Sequence, residues 1–306
     1  MQNSDPRNQD AVQLLGRPAG DGLITIRETD RMLVLSCEQF TYVFNKLTGL
    51  FDKMTFANEP LLDQPMGFNV WRAPTDNDRK LKADWYAAHY DHAATNAYHT
   101  EYTVTASGVT LHTHVGIAAI CVQKFLDLDV TWTVANNGSV GLALHAKRNT
   151  VFPELPRFGL RLFLPQEMSQ VNYYGMGPME CYRDKHHAAS HSSYTATVWQ
   201  LHEDYIRPQE NGSHFDCDYV MLAGDAVRLT AVGTQPFSFN ASHYTQEELT
   251  RKAHNYELEP CGSTVLCLDY AQNGIGSESC GPRLLEQYRL DDATFNFGLR
   301  LFPEKK

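Results

Sequence analysis

The sequence has little that would suit a membrane or a nucleic-acid partner. No stretch approaches the roughly 18 apolar residues that span a bilayer, and the first 20 residues lack the apolar core of a secretory signal. The chain has 26 basic against 36 acidic side chains and a formal net charge of −10, which repels a phosphate backbone. We therefore expect a cytoplasmic protein that binds neither membranes nor nucleic acid.

Cysteine and histidine patterns give no metal or disulfide framework. The seven cysteines are odd in number and form no C-x-x-C pair, so reduced, mostly buried thiols are expected. His187 and His191 have the i, i+4 spacing of a helical metal pair, but the residues between them are weak evidence for a helix. No third ligand is identifiable, and the sequence predicts solvated loop histidines and no metal site.

Patterns that mark the catalytic residues of hydrolases are not recognisable. A glycosidase needs two carboxylates about 5–5.5 Å apart for retention or about 6.5–9.5 Å apart for inversion. The 36 acidic residues contain no identifiable pair of this kind. A G-x-S-x-G nucleophile elbow does not occur, because the segment around Ser277 reads GSESC. The sequence therefore assigns no catalytic residue to this chain.

Short runs rich in β-branched and aromatic residues begin near residue 23 and recur along the chain. They are typical of antiparallel sheets, and hairpin turns are expected at 46–49, 107–108 and 136–138, where Asn and Gly accept positive φ at little cost. Helices are predicted around residues 83–94 and after the capping pattern that starts at Thr245. The clearest strand-forming runs cover residues 23–29, 32–45, 102–123 and 126–138.

The order of these elements favours an all-β fold. Strands and helices do not alternate as they do in TIM barrels or Rossmann folds. Residues 1–20 are dominated by Asn, Asp, Gln, Pro and Gly without an apolar period, and we predict a disordered lead-in or linker there. Residues 21–306 are predicted to form a single domain, a supersandwich of two packed antiparallel sheets.

One polar loop, residues 71–79, contains a group of oxygen-bearing side chains. Asp76 and Asp78 flank Asn77 directly after an apolar stretch. Carboxylate and amide oxygens suit a hard cation or the hydroxyls of a sugar. Asp and Asn also form turns by bonding to their own backbone, so the composition alone favours a structural loop.

Three further loops stand out. Residues 173–184 favour a tight turn followed by a Glu/Arg/Asp network, because the G-x-G-P segment does not open a helix as a phosphate cradle would. Residues 208–214 form a polar turn that suits either sugar hydroxyls or loop fixation. The Gly-rich residues 273–282 indicate a backbone that closely approaches another sheet or a ligand.

Taken in order, these segments resemble the C-terminal β-sandwich domain of the large family-two β-galactosidases, which also occurs as a separately encoded small subunit. The resemblance covers roughly residues 38–300. The motifs that carry it are FNKLTGL (44–50), RAPTDND (72–78), GMGP (175–178), PQENG (208–212), FNASHY (239–244) and NGIGS (273–277).

The resemblance implies a galactose-mutarotase-like β-supersandwich. It implies retaining hydrolysis of terminal β-D-galactosides such as lactose, performed by catalytic carboxylates in a TIM barrel that is absent from this sequence. No cofactor is then expected in this chain, whereas Mg²⁺ and Na⁺ are expected in the missing catalytic part. The implied partners are that catalytic domain or large subunit and a galactoside at the shared site, in an enzyme expected to be an oligomer.

Two loops carry the site residues that the resemblance implies. Residues 72–80, with Asp76, Asn77 and Asp78, match a mobile loop beside the active site, and Lys80 stands where a family member has the Gly that allows the motion. Ser279 and Cys280 lie in the second loop, and Cys280 replaces a Trp platform for the second sugar of lactose. We therefore expect a looser aglycone site and a weaker preference for lactose over aryl galactosides.

Two other functions stay open. A free-standing aldose-epimerase-like enzyme is one, since mutarotases share the implied fold, although no epimerase motif is recognisable. A carbohydrate-binding module is the other, and it would need an exposed aromatic platform. The candidate platforms are Trp71, Trp85, Trp132 and Trp199.

Overall fold

The computed structural model describes residues 8–306, and about half of this range is β-strand. The helices are α1 (Gln9–Leu15), α2 (Leu81–Ala87) and α3 (Gln246–Arg251), with 3-10 turns at Asp76–Arg79, Tyr90–His92, Val198–Leu201, Asn255–Glu257 and Glu286–Tyr288. The strands are β1 (Thr25–Glu28), β2 (Met32–Ser36), β3 (Phe40–Asn45), β4 (Leu50–Phe56), β5 (Glu59–Pro60), β6 (Gln64–Asn69), β7 (Ala94–Thr105), β8 (Gly108–Ala118), β9 (Leu126–Ala135), β10 (Val140–Arg148), β11 (Arg157–Pro165), β12 (Gln170–Gly177), β13 (Ser190–Thr197), β14 (Ser213–Ala223), β15 (Val227–Ser242), β16 (Ser263–Gln272) and β17 (Thr294–Lys305).

These strands form two sheets in which the paired strands run antiparallel. Within the described residues, the smaller sheet has five strands in the order β1-β2-β3-β4-β5. The larger sheet has twelve, with the path β13-β12-β14-β15-β17-β10-β9-β8-β7, and β16 joins β15 to β11, which in turn pairs with β6. The all-β, antiparallel architecture predicted from the sequence is confirmed.

Strand β9 shows why these segments become strands. Val130 and Trp132 are buried, whereas Asp129, directly before Val130, is exposed, which is the period-2 alternation of a half-buried strand. The indole Nε1 of Trp132 donates to the carbonyl oxygen of Gly49 at 2.9 Å, and its ring meets Phe51 edge-on at 5.3 Å. Because Phe51 lies on the smaller sheet, both sheets share one apolar core.

The predicted hairpin turns are present. Gly49 and Gly138 have positive φ values of 74° and 84°, in the turns that join β3 to β4 and β9 to β10. The run at 32–45 is divided into β2 and β3 by a short turn at residues 37–39. Helix α2 is shorter than the segment predicted at 83–94, and the Thr245 hydroxyl caps α3 by accepting from the Glu248 amide at 3.1 Å.

The disorder predicted for residues 1–20 needs a correction from residue 8 onward, while residues 1–7 lie outside the described part. Asn8 caps α1 by accepting from the Asp10 amide at 2.7 Å. Ala11, Leu14 and Leu15 lie at i, i+3 and i+4 and so share one face of the helix. Ala11 is 1% exposed and packs in a small apolar cluster with residues of β14, β15 and β17.

The three α-helices contain six or seven residues each. Within residues 8–306, no helix combines the length and apolar character needed to cross a membrane.

Candidate functional site

The two loops expected to carry the site lie against each other. The side-chain amide of Asn77 donates to the carbonyl oxygen of Ile275 at 2.6 Å. From the same side, the guanidinium of Arg72 donates to the carbonyl oxygens of Asn273 and, at 3.2 Å, Gly274. The loops at 72–80 and 273–282 therefore form one surface, although about 200 residues separate them along the chain.

Arg72 organises the first loop from within. It is fully buried and its Nη2 lies 2.7 Å from Asp78 Oδ1, while its guanidinium lies 5.2 Å from the Trp85 ring centroid. Asp78 Oδ2 also accepts from the backbone amide of Thr75 at 2.8 Å, as in a capping box. Asp78 is 3% exposed, so the prediction that it binds substrate is corrected: its carboxylate is committed to Arg72 and Thr75.

Asp76 faces outward instead. Its side chain is 67% exposed, and its carboxylate lies 3.9 Å from the equally exposed Arg207 guanidinium. Its backbone amide donates to Gln209 Oε1 at 3.2 Å, which joins the first loop to the loop at 208–214. Of the two predicted acids, Asp76 is therefore the one that can reach a ligand, and its role in substrate binding stays a prediction.

Lys80 has ordinary backbone angles at the position where the resembled family has Gly. Its φ of −85° and ψ of −47° are right-handed helical values that lead into α2. Glycine is not required for this conformation. The expectation that Lys80 hinders a switching motion of the loop stays a prediction.

Asp184 anchors the second loop at one end. Its two carboxylate oxygens accept from the backbone amides of Ile275 and Gly276 at 3.0 and 2.8 Å. Gly274 is required at this approach, because an added Cβ would lie 2.6 Å from Asp184 Oδ2. At the other end, Arg283 binds both carboxylate oxygens of Glu154 at 2.7 and 2.9 Å.

The tip of this loop, residues 277–282, projects between those anchors. Cys280 is exposed and Ser279 is half-buried. Both side chains are therefore accessible from solvent at the end of a loop whose base is fixed. Their role in substrate binding stays a prediction.

A buried ion cluster lies beneath both loops. Arg157 is fully buried and pairs with Asp269, and its Nη1 lies 3.1 Å from Glu210 Oε2. Burial raises the pKa of Glu210 and of Asp269, although the positive charge of Arg157 acts to lower both. Although burial opposes a charged guanidinium, the two carboxylates raise the pKa of Arg157, so it stays charged. The backbone amide of Glu210 donates to the Ala73 carbonyl at 2.9 Å and links the cluster to the first loop.

Glu180 joins the remaining candidate loops to this base. Its carboxylate is 8% exposed and accepts from the Gly212 amide at 2.9 Å and from Lys185 Nζ at 2.7 Å. The Tyr205 hydroxyl donates to the same carboxylate. Glu180 thus connects that segment to the loop at 208–214. The Glu/Arg/Asp network expected at residues 173–184 is not formed as one network, because Arg183 and Asp184 bond to residues 289 and 275–276 instead.

With this geometry in place, comparison with known proteins identifies the family. Residues 36–301 match the family model described as "Beta galactosidase small chain". The chain belongs to the β-galactosidase small-chain family. It is 43% identical over 267 residues to a β-galactosidase of Actinobacillus pleuropneumoniae, covering 87% of this chain and 26% of that protein. It is 37% identical over 279 residues to a β-galactosidase of Staphylococcus xylosus, covering 91% and 28%.

The chain thus spans about a quarter of the length of these relatives. Among solved structures, it is similar to a galactose mutarotase-like protein from Lactobacillus casei, with a TM-score of 0.49 and 11% sequence identity. That similarity covers 90% of this chain and all of the other.

Exposed apolar side chains lie near Arg207, which is the neighbour of Asp76. Ile206, 78% exposed, precedes Arg207, and its carbonyl oxygen accepts from the Asn255 amide at 3.0 Å. This contact brings Tyr256, 80% exposed, to the same end of the molecule. Tyr86, 40% exposed, adds a third apolar side chain near Arg207. Grouped exposed apolar residues of this kind mark interaction surfaces.

The remaining metal and aromatic candidates lie elsewhere. His187 is exposed in a segment without helix, and His191 Nε2 lies 2.8 Å from the Asp216 carbonyl oxygen on a strand edge. Across residues 8–306, no group of three or more His, Cys, Asp or Glu is arranged to hold a metal ion. Of the tryptophans, Trp71, Trp85 and Trp132 are buried, whereas Trp199 is 49% exposed and packs on His243 at 4.6 Å.

Three buried charged residues that hold the candidate loops were not predicted from the sequence: Arg157, Asp269 and Glu154. Arg157 and Asp269 lie 112 residues apart and belong to no motif. The sequence does show a charged residue in each of two mostly apolar strands, β11 and β16. Burying a charge without a partner costs a large free energy, so each of these residues requires an opposite charge. A search for matching opposite charges in buried strands would have indicated the pair.

Proposed function

We propose that this chain is the C-terminal β-sandwich domain, or the separate small subunit, of a family-two β-galactosidase. It completes the wall of an active site whose catalytic groups are on other sequence, and the enzyme hydrolyses terminal β-D-galactosides. The observation that carries this proposal is the contact between the loops at 72–80 and 273–282, made through Asn77 and Arg72. Family membership supports it.

The chain's own contribution is binding and shape. Asp76 supplies an exposed carboxylate that accepts hydrogen bonds from sugar hydroxyls. Ser279 supplies a hydroxyl at the tip of the second loop, and the buried pair of Arg72 with Asp78 holds both loops in place. Cys280 offers less apolar area than an aromatic ring, so the proposed enzyme has a weaker preference for lactose over aryl galactosides.

The proposed partner is the larger catalytic part of the enzyme. Tyr86, Ile206 and Tyr256 form the apolar surface against which it docks, beside Asp76. Burying these side chains removes apolar area from water and favours association. We assign the Mg²⁺ and Na⁺ implied by the family resemblance to that larger part, and the assembled enzyme to an oligomer in the cytoplasm.

Complementation tests this function. The Actinobacillus relative is truncated to remove the quarter that this chain matches, and the 306-residue chain is supplied in trans or fused in its place. We expect hydrolysis of an aryl β-galactoside only when both parts are present. The ratio of kcat/KM for lactose to kcat/KM for the aryl galactoside is expected to be lower than in an enzyme with Trp at the Cys280 position. A folded fusion without activity, or full activity of the truncated relative alone, would overturn the proposal.

The isolated chain also tests the alternative function, that of an aldose epimerase. The chain alone is incubated with α-galactose and optical rotation is followed. We expect the uncatalysed rate, and a clear acceleration would favour the epimerase.

A further inference from the structure

A polar cavity of about 150 Å³ lies over strands β14, β15 and β16, away from the loop tips at 72–80 and 277–282. Its floor consists of buried polar residues and its rim of partly exposed ones, so it is open to solvent on one side. The floor residues are Tyr182, Ser213, Ser238 and Gln272.

The side-chain amide of Gln272 has a fixed orientation. Its Nε2 donates to Glu210 Oε1 at 3.3 Å and to Ser213 Oγ at 3.2 Å. The reverse orientation would place the amide oxygen against a carboxylate, which is unfavourable. The oxygen Oε1 is therefore left as a buried acceptor without a partner among the described residues. Such a group requires a donor from outside the protein.

Tyr182 presents a second unsatisfied group to the same floor. Its side chain is 2% exposed, and within residues 8–306 its hydroxyl has no well-formed hydrogen bond, with the Ser213 backbone amide nearby. Burial, together with the nearby Glu210 and Glu180, raises the pKa of Tyr182 well above its usual range, so the hydroxyl keeps its proton. It can therefore donate to a ligand as well as accept from it.

The size and charge of the cavity limit what it can hold. A cavity of this volume holds about five water molecules, or an apolar molecule of about six non-hydrogen atoms. The floor side chains are neutral, and Arg183 at the rim already donates to the Arg289 carbonyl at 3.1 Å. Glu210 lies behind Gln272 and disfavours an anion. Tyr270 supplies an aromatic wall beside these polar groups.

We propose that this cavity binds the hydroxyl groups of a neutral polyol, either a free triol-sized molecule or one edge of a monosaccharide ring. A ligand hydroxyl donates to Gln272 Oε1, and another pairs with the Tyr182 hydroxyl. Ser238 adapts as donor or acceptor because its hydroxyl rotates. The Ser213 hydroxyl already donates to the Phe239 carbonyl and accepts from Gln272 Nε2, so it holds the Gln272 amide in place. The proposal is independent of the proposed function, since none of these residues belongs to the loop tips.

Binding is tested on the full 306-residue chain by saturation-transfer and amide-shift NMR. Glycerol and methyl β-D-galactopyranoside are the probes. Binding of both indicates a small polyol site, and binding of the galactoside alone indicates a site for a sugar edge. If neither probe shifts the resonances of the cavity residues even at high probe concentration, the cavity holds water only and the proposal is overturned.

Tyr182→Phe is the deciding variant. It removes a hydroxyl without a well-formed hydrogen bond to the protein, so the unfolding midpoint is expected to be unchanged or raised. The Kd of the bound probe is expected to rise about fivefold. Tyr42→Phe is the matched control, because the Tyr42 hydroxyl donates to the Gly138 carbonyl at 2.7 Å in another part of the core. That control lowers the midpoint and leaves the Kd unchanged. An unchanged Kd in Tyr182→Phe contradicts the proposal, whatever the result of the complementation experiment.

Discussion

The side-chain amide of Asn77 lies 2.6 Å from the carbonyl oxygen of Ile275 and donates to it. This hydrogen bond joins the exposed turn that carries Asp76 to the base of the loop that carries Cys280. Because Asp184 accepts from the amides of Ile275 itself and of Gly276, the bond ties the first loop to a segment that is itself anchored. The relative position of Asp76 and Cys280 thus depends on Asn77.

Replacing Asn77 separates loop positioning from stability. Asn77→Ala removes one half-buried hydrogen bond and is expected to lower the free energy of unfolding by about 1 kcal/mol. Misplacing the loop is expected to lower kcat/KM of the complemented enzyme by roughly tenfold or more. Asn172→Ala is the control, because Asn172 bonds to Thr195 on the sheet at 3.1 Å. Equal losses of activity in both variants would contradict the positioning role.

The two acids of the first loop are expected to behave oppositely. Asp78→Asn leaves the buried guanidinium of Arg72 without its counter-charge, which is expected to cost roughly 3 kcal/mol or more of stability. Asp76→Asn changes an exposed side chain and is expected to alter stability by less than about 0.5 kcal/mol. Urea unfolding of both variants measures the difference. Similar midpoints would show that Asp78 is not the internal partner described above.

Gly274 and Gly276 form a matched pair at the base of the second loop. In Gly274→Ala the new Cβ lies 2.6 Å from Asp184 Oδ2 and 2.8 Å from Leu284 Cδ1, so we expect a loss of about 1–3 kcal/mol. In Gly276→Ala its nearest neighbour is Asp184 Oδ2 at 3.3 Å, and we expect a smaller loss. Thermal unfolding measures both. A larger loss for Gly276→Ala would mean that the loop base is packed differently.

His214 is expected to make stability depend on pH. Its side chain is 1% exposed, and burial lowers its pKa to about 4. The unfolded chain has the ordinary value of about 6.5 and therefore binds a proton that the folded chain does not bind between these two values. Stability contributed by neutral His214 is present above pH 6.5 and is lost as pH falls toward 4, by roughly 3 kcal/mol in total.

Urea unfolding at pH 7, 5.5 and 4.5 tests this dependence. His214→Phe keeps a ring against Phe239 and Tyr173 but cannot titrate, so its stability is expected to fall less steeply with acid. His112→Phe changes an exposed histidine and should keep the parent's slope. If His214→Phe keeps the full slope, another group causes the acid sensitivity.

Much of the fold was predictable because it depends on local rules. The period-2 burial of β9 and the Gly turns at Gly49 and Gly138 follow from side-chain alternation and positive φ. Helix α1 was missed because residues 1–20 as a whole are rich in Asn, Asp, Gln, Pro and Gly, although Ala11, Leu14 and Leu15 had the helical spacing. Packing on distant strands, which composition does not encode, decides that such a segment is ordered.

The sequence predicted which loops form the candidate site, but not which of their side chains point inward and which point to solvent. The family resemblance gave both loops, yet it did not separate Asp76 from Asp78. The 3-10 turn decides that separation, since three residues per turn place Thr75 and Asp78 on one inward side and Asp76 outward. The pairing of Arg157 with Asp269 depends on the register of β11 and β16, which pairwise spacing along the chain cannot give.

The most direct test of the proposed active-site wall uses the natural thiol of Cys280. A β-galactoside with a bromoacetamide on its aglycone is added to the complemented enzyme, and alkylated peptides are measured by mass spectrometry. Cys121 is the internal control, because it is also exposed but lies outside both loops. We predict fast alkylation of Cys280 that excess methyl β-D-galactopyranoside suppresses, and slow, unprotected alkylation of Cys121. Equal rates at both thiols, or no protection at Cys280, would contradict the placement of this loop at the galactoside site.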